Sequence, residues 1–233
     1  MFYRILLCIL LSWSSLFAFN VPTLHGRVSD YAKLLSADQV QTIESLLAQY
    51  EQQTSNQFAV LTIDSLEGDS LEDFSLRTVE KWKLGQKGKN NGALLLIVKN
   101  DHKVRIEVGY GLEPVLTDVF CGSTIRDVLA PAFRDGNYGQ GIADTLYAMM
   151  QKTGTEFTNY KPQYTAQPEA EIPNVVVFFF IILIVLFAIK NPILAGYIIG
   201  SLLSGGGRSG GSSYGGFSGG GGSFGGGGAS GSW

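Results

Sequence analysis

The glycine-rich C-terminal segment places the first limit on how this chain of 233 residues folds. Residues 204–233 hold 16 of the 30 glycines, and they follow a run without polar side chains from Val175 to Ile189. A glycine-rich segment loses much backbone entropy on ordering and offers few apolar side chains to a core. We therefore predict a disordered tail at 204–233 and place the folded domain before Pro173.

The N-terminal residues have the pattern of a secretory signal peptide at 1–18. Arg4 precedes a short apolar stretch, and the small residue Ala18 follows it at a suitable cleavage position. Cleavage is expected after Ala18, with Asn20 as the alternative, and an uncleaved N-terminal anchor is the other interpretation. Both interpretations export the domain, so we expect it to be extracytoplasmic.

A transmembrane region is predicted at 173–203, after a polar linker at 153–172. The uncharged run 175–189 is slightly short for a span of about 20 residues. Lys190 and Arg208 follow it, which favours a single span with the tail in the cytoplasm. Asn191 and Pro192 interrupt a second apolar stretch, so a hairpin that returns the tail to the outside stays open. We expect the protein in the bacterial inner membrane.

Charge and cysteine content exclude some classes of protein. The formal net charge is −3 and no basic cluster is present, which argues against nucleic acid as a partner. Loss of Cys8 with the signal peptide leaves Cys121 as the one cysteine of the mature chain. An internal disulfide is then impossible, and we expect Cys121 to be a small buried residue.

The apolar pattern predicts alternating strands and helices between the signal peptide and the linker. Residues 19–33 are interpreted as an extended entry segment, and Ser36 begins a helix with a capping box. The continuous apolar run 93–98 is typical of a strand buried on both faces, while Arg105 and Glu107 alternate with apolar residues and indicate a wetter face. The predicted elements are strands at 57–63, 93–98 and 104–110, and helices from Ser36, from Ser70, at 118–130 and at 138–152, the last two separated by Pro131 and Gly136.

This order predicts an α/β fold, a three-layer α/β/α sandwich around a mixed, mostly parallel sheet with one hairpin. A transmembrane helix and a disordered tail are expected to follow it. The domain itself is expected to cover residues 22–152.

Several motifs in this region occur together in one known family. They are Gly26–Ala32, Leu34–Ser36, Trp82–Gly85, Lys89–Gly92, Leu94–Val98, Arg105–Glu113, Leu116–Asp118, Pro131–Arg134 and Gly136–Tyr138. Together they resemble the TPM domain, named after a thylakoid-lumen phosphatase, a photosystem II repair protein and a nematode receptor modulator. The whole chain is similar to a bacterial, membrane-anchored subgroup with a glycine-rich tail ending in Ala-Ser-Gly-Ser-Trp.

Four carboxylates are candidate metal ligands. Glu113 and Asp118 follow the hairpin strand, Asp30 lies in the entry segment and Asp64 ends the first strand. Loops at strand ends commonly form the sites of α/β sheets, and carboxylate oxygens suit calcium or magnesium. The resemblance also implies a divalent cation, held by Asp30, Glu113 and Asp118. The competing interpretations are a helix cap at Asp118, a solvated Glu113 and a turn held by Asp30.

One position departs from the family pattern, because Asn137 stands where the family commonly has aspartate. Other catalytic motifs find no support in the sequence. Gly-x-Ser-x-Gly occurs only within the glycine-rich tail, and the histidines have no partner at zinc-site spacing.

These residues predict a membrane-anchored, extracytoplasmic TPM domain that binds a divalent cation. We expect it to act as an accessory module at the cell envelope, with the membrane and another envelope protein as partners. The alternative that the resemblance implies is a metal-dependent acid phosphatase. No nucleophile or base stands beside the carboxylates in the sequence, which favours binding over catalysis.

Overall fold

The structure, a computed structural model, describes residues 20–154, 161–163, 165 and 221–233. The predicted signal peptide at 1–18, the transmembrane region at 173–203 and most of the linker lie outside these ranges. The elements are β1 (Val28–Asp30), α1 (Ala37–Thr54), β2 (Gln57–Ile63), α2 (Leu71–Trp82), β3 (Gly92–Val98), β4 (Lys103–Gly109), α3 (Asp118–Thr124), a π-helical turn (Ile125–Leu129), α4 (Ala130–Arg134), α5 (Tyr138–Lys152) and β5 (Phe224–Ser232). None of the helices in the described ranges is long and apolar enough to span a membrane.

The strands form one mixed sheet in the order β1-β2-β3-β4-β5. β1, β2 and β3 are parallel to one another, whereas β4 is antiparallel to both β3 and β5. The α/β class and the mixed sheet are therefore confirmed. The prediction of a mostly parallel sheet is wrong, because a fifth strand adds a second antiparallel pair.

Helices cover both faces of the sheet. On one face, α2 packs through Phe74 and Trp82 on alternate residues of β2 and β3 such as Leu61 and Leu96. On the other face, α1 and the helices after β4 pack on the opposite set of strand residues. All seven residues of β3 are buried, as its continuous apolar run predicts for a strand covered on both sides.

Side-chain caps fix where the first helices begin. Ser36 and Gln39 form the predicted capping box, with Gln39 N donating to Ser36 Oγ at 3.3 Å and Ser36 N donating to Gln39 Oε1 at 2.9 Å. Ser70 caps α2 in the same position. Thr117, rather than Asp118, provides the side-chain cap of α3, through a 3.2 Å bond from Phe120 N to Thr117 Oγ1.

Pro131 does not end its helix, contrary to the prediction. The chain passes from α3 through the π-helical turn into α4, and Pro131 lies at the first positions of α4. A proline inside an α-helix removes one hydrogen bond and crowds the preceding turn. The wider π-helical turn before it, closed by the bond from Ala130 N to Ile125 O, accommodates the ring.

Two strands lie where the sequence predicted none. β1 occupies three residues of the entry segment and pairs with β2. At the other end of the sheet, Phe224–Ser232 pairs with β4 from Lys103 to Gly109, with a shift of register between Val108 and Gly109. The prediction of a disordered tail is therefore wrong for residues 221–233. This glycine-rich segment has few side chains to bury, but the edge of β4 supplies hydrogen-bond partners for its backbone groups.

Candidate functional site

The structure divides the four predicted ligands between opposite ends of the sheet. Asp30 and Asp64 lie at the carboxyl ends of the parallel strands β1 and β2. Because β4 runs antiparallel to β3, the loop that carries Glu113 and Asp118 begins at the other end. Two further strands also separate β1 from β4. The structure therefore does not bring Asp30 together with Glu113 and Asp118.

Asp30 holds the turn between β1 and α1. Its Oδ1 accepts a hydrogen bond from Leu34 N at 3.1 Å, and its Oδ2 accepts one from Leu35 N at 2.9 Å. The hydroxyl of Thr62 also donates to Oδ1. Both carboxylate oxygens thus have protein donors, which is the turn-stabilising role. Asp64 is exposed at the end of β2.

Glu113 and Asp118 both lie against β5. Asp118 Oδ1 accepts a hydrogen bond from Gly228 N at 2.8 Å. The carboxylate of Glu113 covers Gly227 so closely that a Cβ there would overlap its Oε1. Two acidic side chains are thus directed at consecutive residues of a strand that sequence reasoning did not foresee.

The donor chemistry of this pair suits a hard cation, but the pair does not complete a site. Among the residues that the structure describes, no three His, Cys, Asp or Glu side chains converge on one point. Glu113 and Asp118 offer carboxylate oxygens of the kind that calcium and magnesium prefer. Asp30 would have to give up its turn bonds to take part. The divalent-cation site stays a prediction.

A buried ion pair lies beneath β5, on the face that α2 covers. Arg105 and Glu107 of β4 are only 6% and 0% exposed, and Arg105 Nε donates to Glu107 Oε2 at 2.6 Å. The hydroxyl of Ser75, on α2, donates to the same oxygen at 2.8 Å. The prediction of a wetter face here is wrong, because α2 covers the face and β5 covers the edge.

Burial sets the protonation behaviour of this cluster. Burial raises the pKa of Glu107, an effect that the hydrogen bond and charge of Arg105 and the hydroxyl of Ser75 oppose. Glu107 Oε1 has no hydrogen-bond partner within the described residues. The hydrogen bond from Ser230 lowers the pKa of Glu72, whose side chain is 57% exposed.

The buried arginine also holds β5 in place. Arg105 Nη1 donates to Ser230 Oγ at 3.0 Å, and Nη2 donates to the carbonyl oxygen of Gly226 at 3.0 Å. Ser230 Oγ in turn donates to Glu72 Oε1 at 2.7 Å. Glu72 of α2 and Arg105 of β4 therefore both bind Ser230 of β5. Such charge-assisted hydrogen bonds are stronger than neutral ones.

On the opposite face, aromatic and aliphatic contacts hold the same strand. The ring of Trp233 packs edge-on against Phe133 with centroids 4.8 Å apart, and it lies 5.3 Å from the ring of His102. Gly231 lies over Ile125 of the π-helical turn, where a Cβ would come within 2.6 Å of Ile125 Cγ2. The strand is thus held from both sides of the sheet.

The residues before β5 run along the loop between α2 and β3. Gly221 N donates to Lys83 O at 3.2 Å, and Gly222 N donates to Gly85 O at 3.1 Å. Ser223 N donates to Asn90 Oδ1 at 2.9 Å. The segment 221–233 therefore contacts three of the motifs named above, those at 82–85, 89–92 and 105–113.

Sequence reasoning missed Arg105, Glu107, Ser75 and Ser230, although one signal was present. Opposite charges two residues apart on a strand share one face, so they form a pair if a helix covers that face. The prediction for Cys121 is confirmed. It is buried, and burial raises the pKa of its thiol to about 12.

Comparison with known proteins identifies the domain. Residues 28–152, which are 125 of the 233, match the TPM domain. Among solved structures, the N-terminal domain of a protein from P. gingivalis shares 37% identity with a TM-score of 0.51, covering 54% of this chain and 80% of that one. The BA42 protein from Bizionia argentinensis shares 21% identity with a TM-score of 0.45, covering 51% of this chain and 80% of that one. No curated protein matches the chain.

Proposed function

Because the chain belongs to the TPM domain family, we propose that it is a membrane-anchored accessory protein of the bacterial cell envelope. Its TPM domain lies outside the cytoplasm and works by binding a divalent cation and another envelope protein. The signal-peptide pattern at 1–18 and the apolar region at 173–203 support this placement.

A single observation carries the choice of binding over catalysis. Arg105, the buried cation of the motif Arg105–Glu113, binds a strand of the chain through Ser230 Oγ and Gly226 O. An exposed strand edge presents a row of free N–H and C=O groups, and proteins commonly use such an edge to bind an extended segment. In the structure the edge of β4 binds the extended segment β5 in this way, so we propose it as the place where the domain engages protein.

The cation belongs with Glu113 and Asp118 in this proposal. A ligand that binds only the folded state stabilises it by about 2.7 kcal/mol at a hundredfold excess over its dissociation constant. We expect calcium or magnesium to raise the melting temperature of the full chain in detergent. The double variant Glu113→Gln/Asp118→Asn should lose this response, because amides carry no charge for the ion.

Asp64→Asn is the matched control, since Asp64 lies at the other end of the sheet. The substitution Asp118→Asn keeps an oxygen that can accept from Gly228 N, so the double variant leaves the contact with β5 intact. An unchanged melting temperature with both ions, or an equal loss in Asp64→Asn, would contradict the cation site.

The same variants test the alternative of a metal-dependent acid phosphatase. A divalent metal would polarise a phosphoryl oxygen there. We expect the full chain to hydrolyse a generic phosphate ester no faster than a buffer blank, with or without added metal. Metal-dependent turnover that the double variant abolishes would instead support the enzyme.

A further inference from the structure

We propose that the β4 edge is a sequence-selective site for the glycine-rich strand 221–233, and that it takes this strand from a second copy of the chain. We define the strand site as the edge of β4 together with Arg105, Glu72, Phe133 and the loop Lys83–Asn91. This proposal deepens the interaction role above by naming the partner, and it does not depend on the cation.

β5 reaches this site without the constraint of a short connection. The β3–β4 hairpin turns within four residues, 99–102, whereas 71 residues, 153–223, separate α5 from β5. A strand that enters from so far along the chain makes the same contacts whether it comes from its own chain or from another. Exchange of an identical element between copies is therefore a low-cost route to association.

The site selects glycine at defined positions. A Cβ on Gly228, where φ is +120°, would overlap the carbonyl oxygen of Ile106 in β4. That oxygen belongs to the backbone and cannot move aside, so no other residue fits. Gly227 is covered by Glu113, and Gly231 lies against Ile125. Gly226, at φ +81°, has nothing within 4 Å of its would-be Cβ, so the site is not uniformly tight.

The residues that are not glycine make the specific contacts. Ser230 Oγ bonds with both Arg105 Nη1 and Glu72 Oε1, at 3.0 and 2.7 Å. Ala229 faces α3, where its Cβ lies 3.7 Å from the position that a Cβ on Gly122 would take. Trp233 packs against Phe133. The ligand is thus an extended Gly-Gly-Ala-Ser-Gly-Ser-Trp strand.

This selectivity identifies the partner by its chemistry. A strand with glycine at 227, 228 and 231, serine at 230 and tryptophan at 233 is present in every copy of this chain. Reciprocal exchange between two copies closes a dimer, whereas one-way donation from copy to copy is head-to-tail and builds rings or open chains. When the strand 221–233 of a copy occupies the strand site of the same copy, that site is not available to a second copy. Binding within one chain therefore competes with exchange between chains.

Peptide binding tests the site itself. The acceptor is the full chain with residues 221–233 deleted, in detergent, and the probe is a fluorescently labelled peptide 221–233. Fluorescence anisotropy should show saturable binding. The Gly228→Ala peptide should bind at least about 100-fold more weakly, because its Cβ clashes with backbone.

The Gly226→Ala peptide is the matched control, since Gly226 also has a positive φ, +81°, but open space around its would-be Cβ. Its loss should be about tenfold, the cost of a left-handed conformation for an L-residue. Equal binding by the wild-type and Gly228→Ala peptides would overturn the selective site.

Exchange between copies needs a second measurement. A tagged acceptor chain that lacks 221–233 should co-purify an untagged full chain after co-expression, and not a full chain that carries Gly228→Ala. If the peptide binds but the full chain does not co-purify, the strand acts only within its own chain and the second copy is overturned. A normal calcium or magnesium response in the same samples would leave the proposed function standing.

Discussion

β3 and β5 flank the same strand, yet different forces hold them. All seven residues of β3 are buried, and a four-residue turn joins it to β4. The nine residues of β5 include five glycines and are half-buried or exposed. Burial of apolar area stabilises β3 strongly, whereas the backbone bonds of β5 replace bonds to water and each yields only about 0.5–1.5 kcal/mol. We therefore expect β5, but not β3, to separate from β4 without unfolding of the domain.

The largest expected effect concerns the side of the membrane on which β5 lies. Pairing with β4 requires residues 221–233 to lie in the same compartment as the TPM domain, so, if residues 173–203 enter the membrane as we propose, we expect the hairpin rather than the single span. Glu80→Cys, on α2, and Ser232→Cys, on β5, replace exposed residues. A membrane-impermeant maleimide should label both to the same extent on spheroplasts.

The parent chain is the control for this labelling, because Cys121 is buried and its thiol pKa is raised to about 12. Labelling of Ser232→Cys only after lysis would mean that β5 does not pair with β4 in the cell.

The next largest effect is expected at the ion pair beneath β5. Arg105→Met leaves Glu107 buried without its cation and removes two bonds to β5, so we expect a loss of about 3–5 kcal/mol in unfolding free energy. Arg126→Met is the control. Its side chain is 70% exposed beside Asp127, and such pairs contribute about 0–1 kcal/mol. Denaturant unfolding measures both, and equal losses would contradict a structural role for the buried pair.

Leu95→Ala tests how strongly β3 is held in the sheet. Leu95 is 1% exposed in β3, and removal of a buried leucine side chain costs about 2–5 kcal/mol. We expect the loss to affect the global unfolding of the domain, since β3 lies at the centre of the sheet. Hydrogen exchange should speed up in β2, β3 and β4 together; a change confined to β3 would argue against one cooperative unit.

Trp233→Ala should have a smaller and more local effect. Loss of the edge-on contact with Phe133 is expected to cost about 1–2 kcal/mol. Exchange should speed up at the amides of β5 and leave those of β3 unchanged, because β5 can open alone. Val119→Ala, where the side chain is 71% exposed on α3, should change nothing measurable. Faster exchange throughout the sheet would make β5 part of the core rather than a displaceable strand.

The smallest effect is a pH dependence from Glu107. Burial raises its pKa above 4.5 in the folded state, so the folded state binds the proton more tightly than the unfolded state. The resulting stabilisation is complete below pH 4.5 and is lost as the pH rises through the folded pKa. Arg105, Ser75 and Glu72 are the groups that face it. The pKa of Glu72 is lowered, so its own contribution is lost only below 4.5.

Thermal unfolding in a chelator should therefore show the wild type gaining stability as pH falls from about 7 toward 5. Glu107→Gln should show a smaller gain over the same range. If the two profiles are parallel, another group causes the dependence.

Local patterns in the sequence predicted most of the fold. The capping box at Ser36 and the apolar run of β3 depend on neighbouring residues, and both are confirmed. β1 was missed because three residues carry no periodicity. β5 was missed because its stability comes from the edge of β4, more than 110 residues earlier in the sequence, which the composition of the tail does not reveal.

The candidate site was less predictable, for a reason that concerns strand direction. Carboxylates at strand ends converge where the strands are parallel, as β1 and β2 are. The hairpin reverses β4, which separates Glu113 from Asp30 by the length of the sheet as well as by two strands. Burial of Arg105 and Glu107 was unpredictable for a related reason, since it requires both α2 and the distant β5.

Because β5 is the last element in the sequence, the sheet is completed later than the rest of the domain during synthesis. The ribosome adds about 5–20 residues per second, so the 71 residues after α5 take roughly 4–14 seconds to synthesise. During that time the TPM domain is complete except at one side, where β4 has unpaired backbone groups and Arg105 lacks two acceptors. Chains that stop early keep this exposed edge, which is a known aggregation hazard. New copies thus pass through an interval in which a chaperone or protease can distinguish them from finished ones.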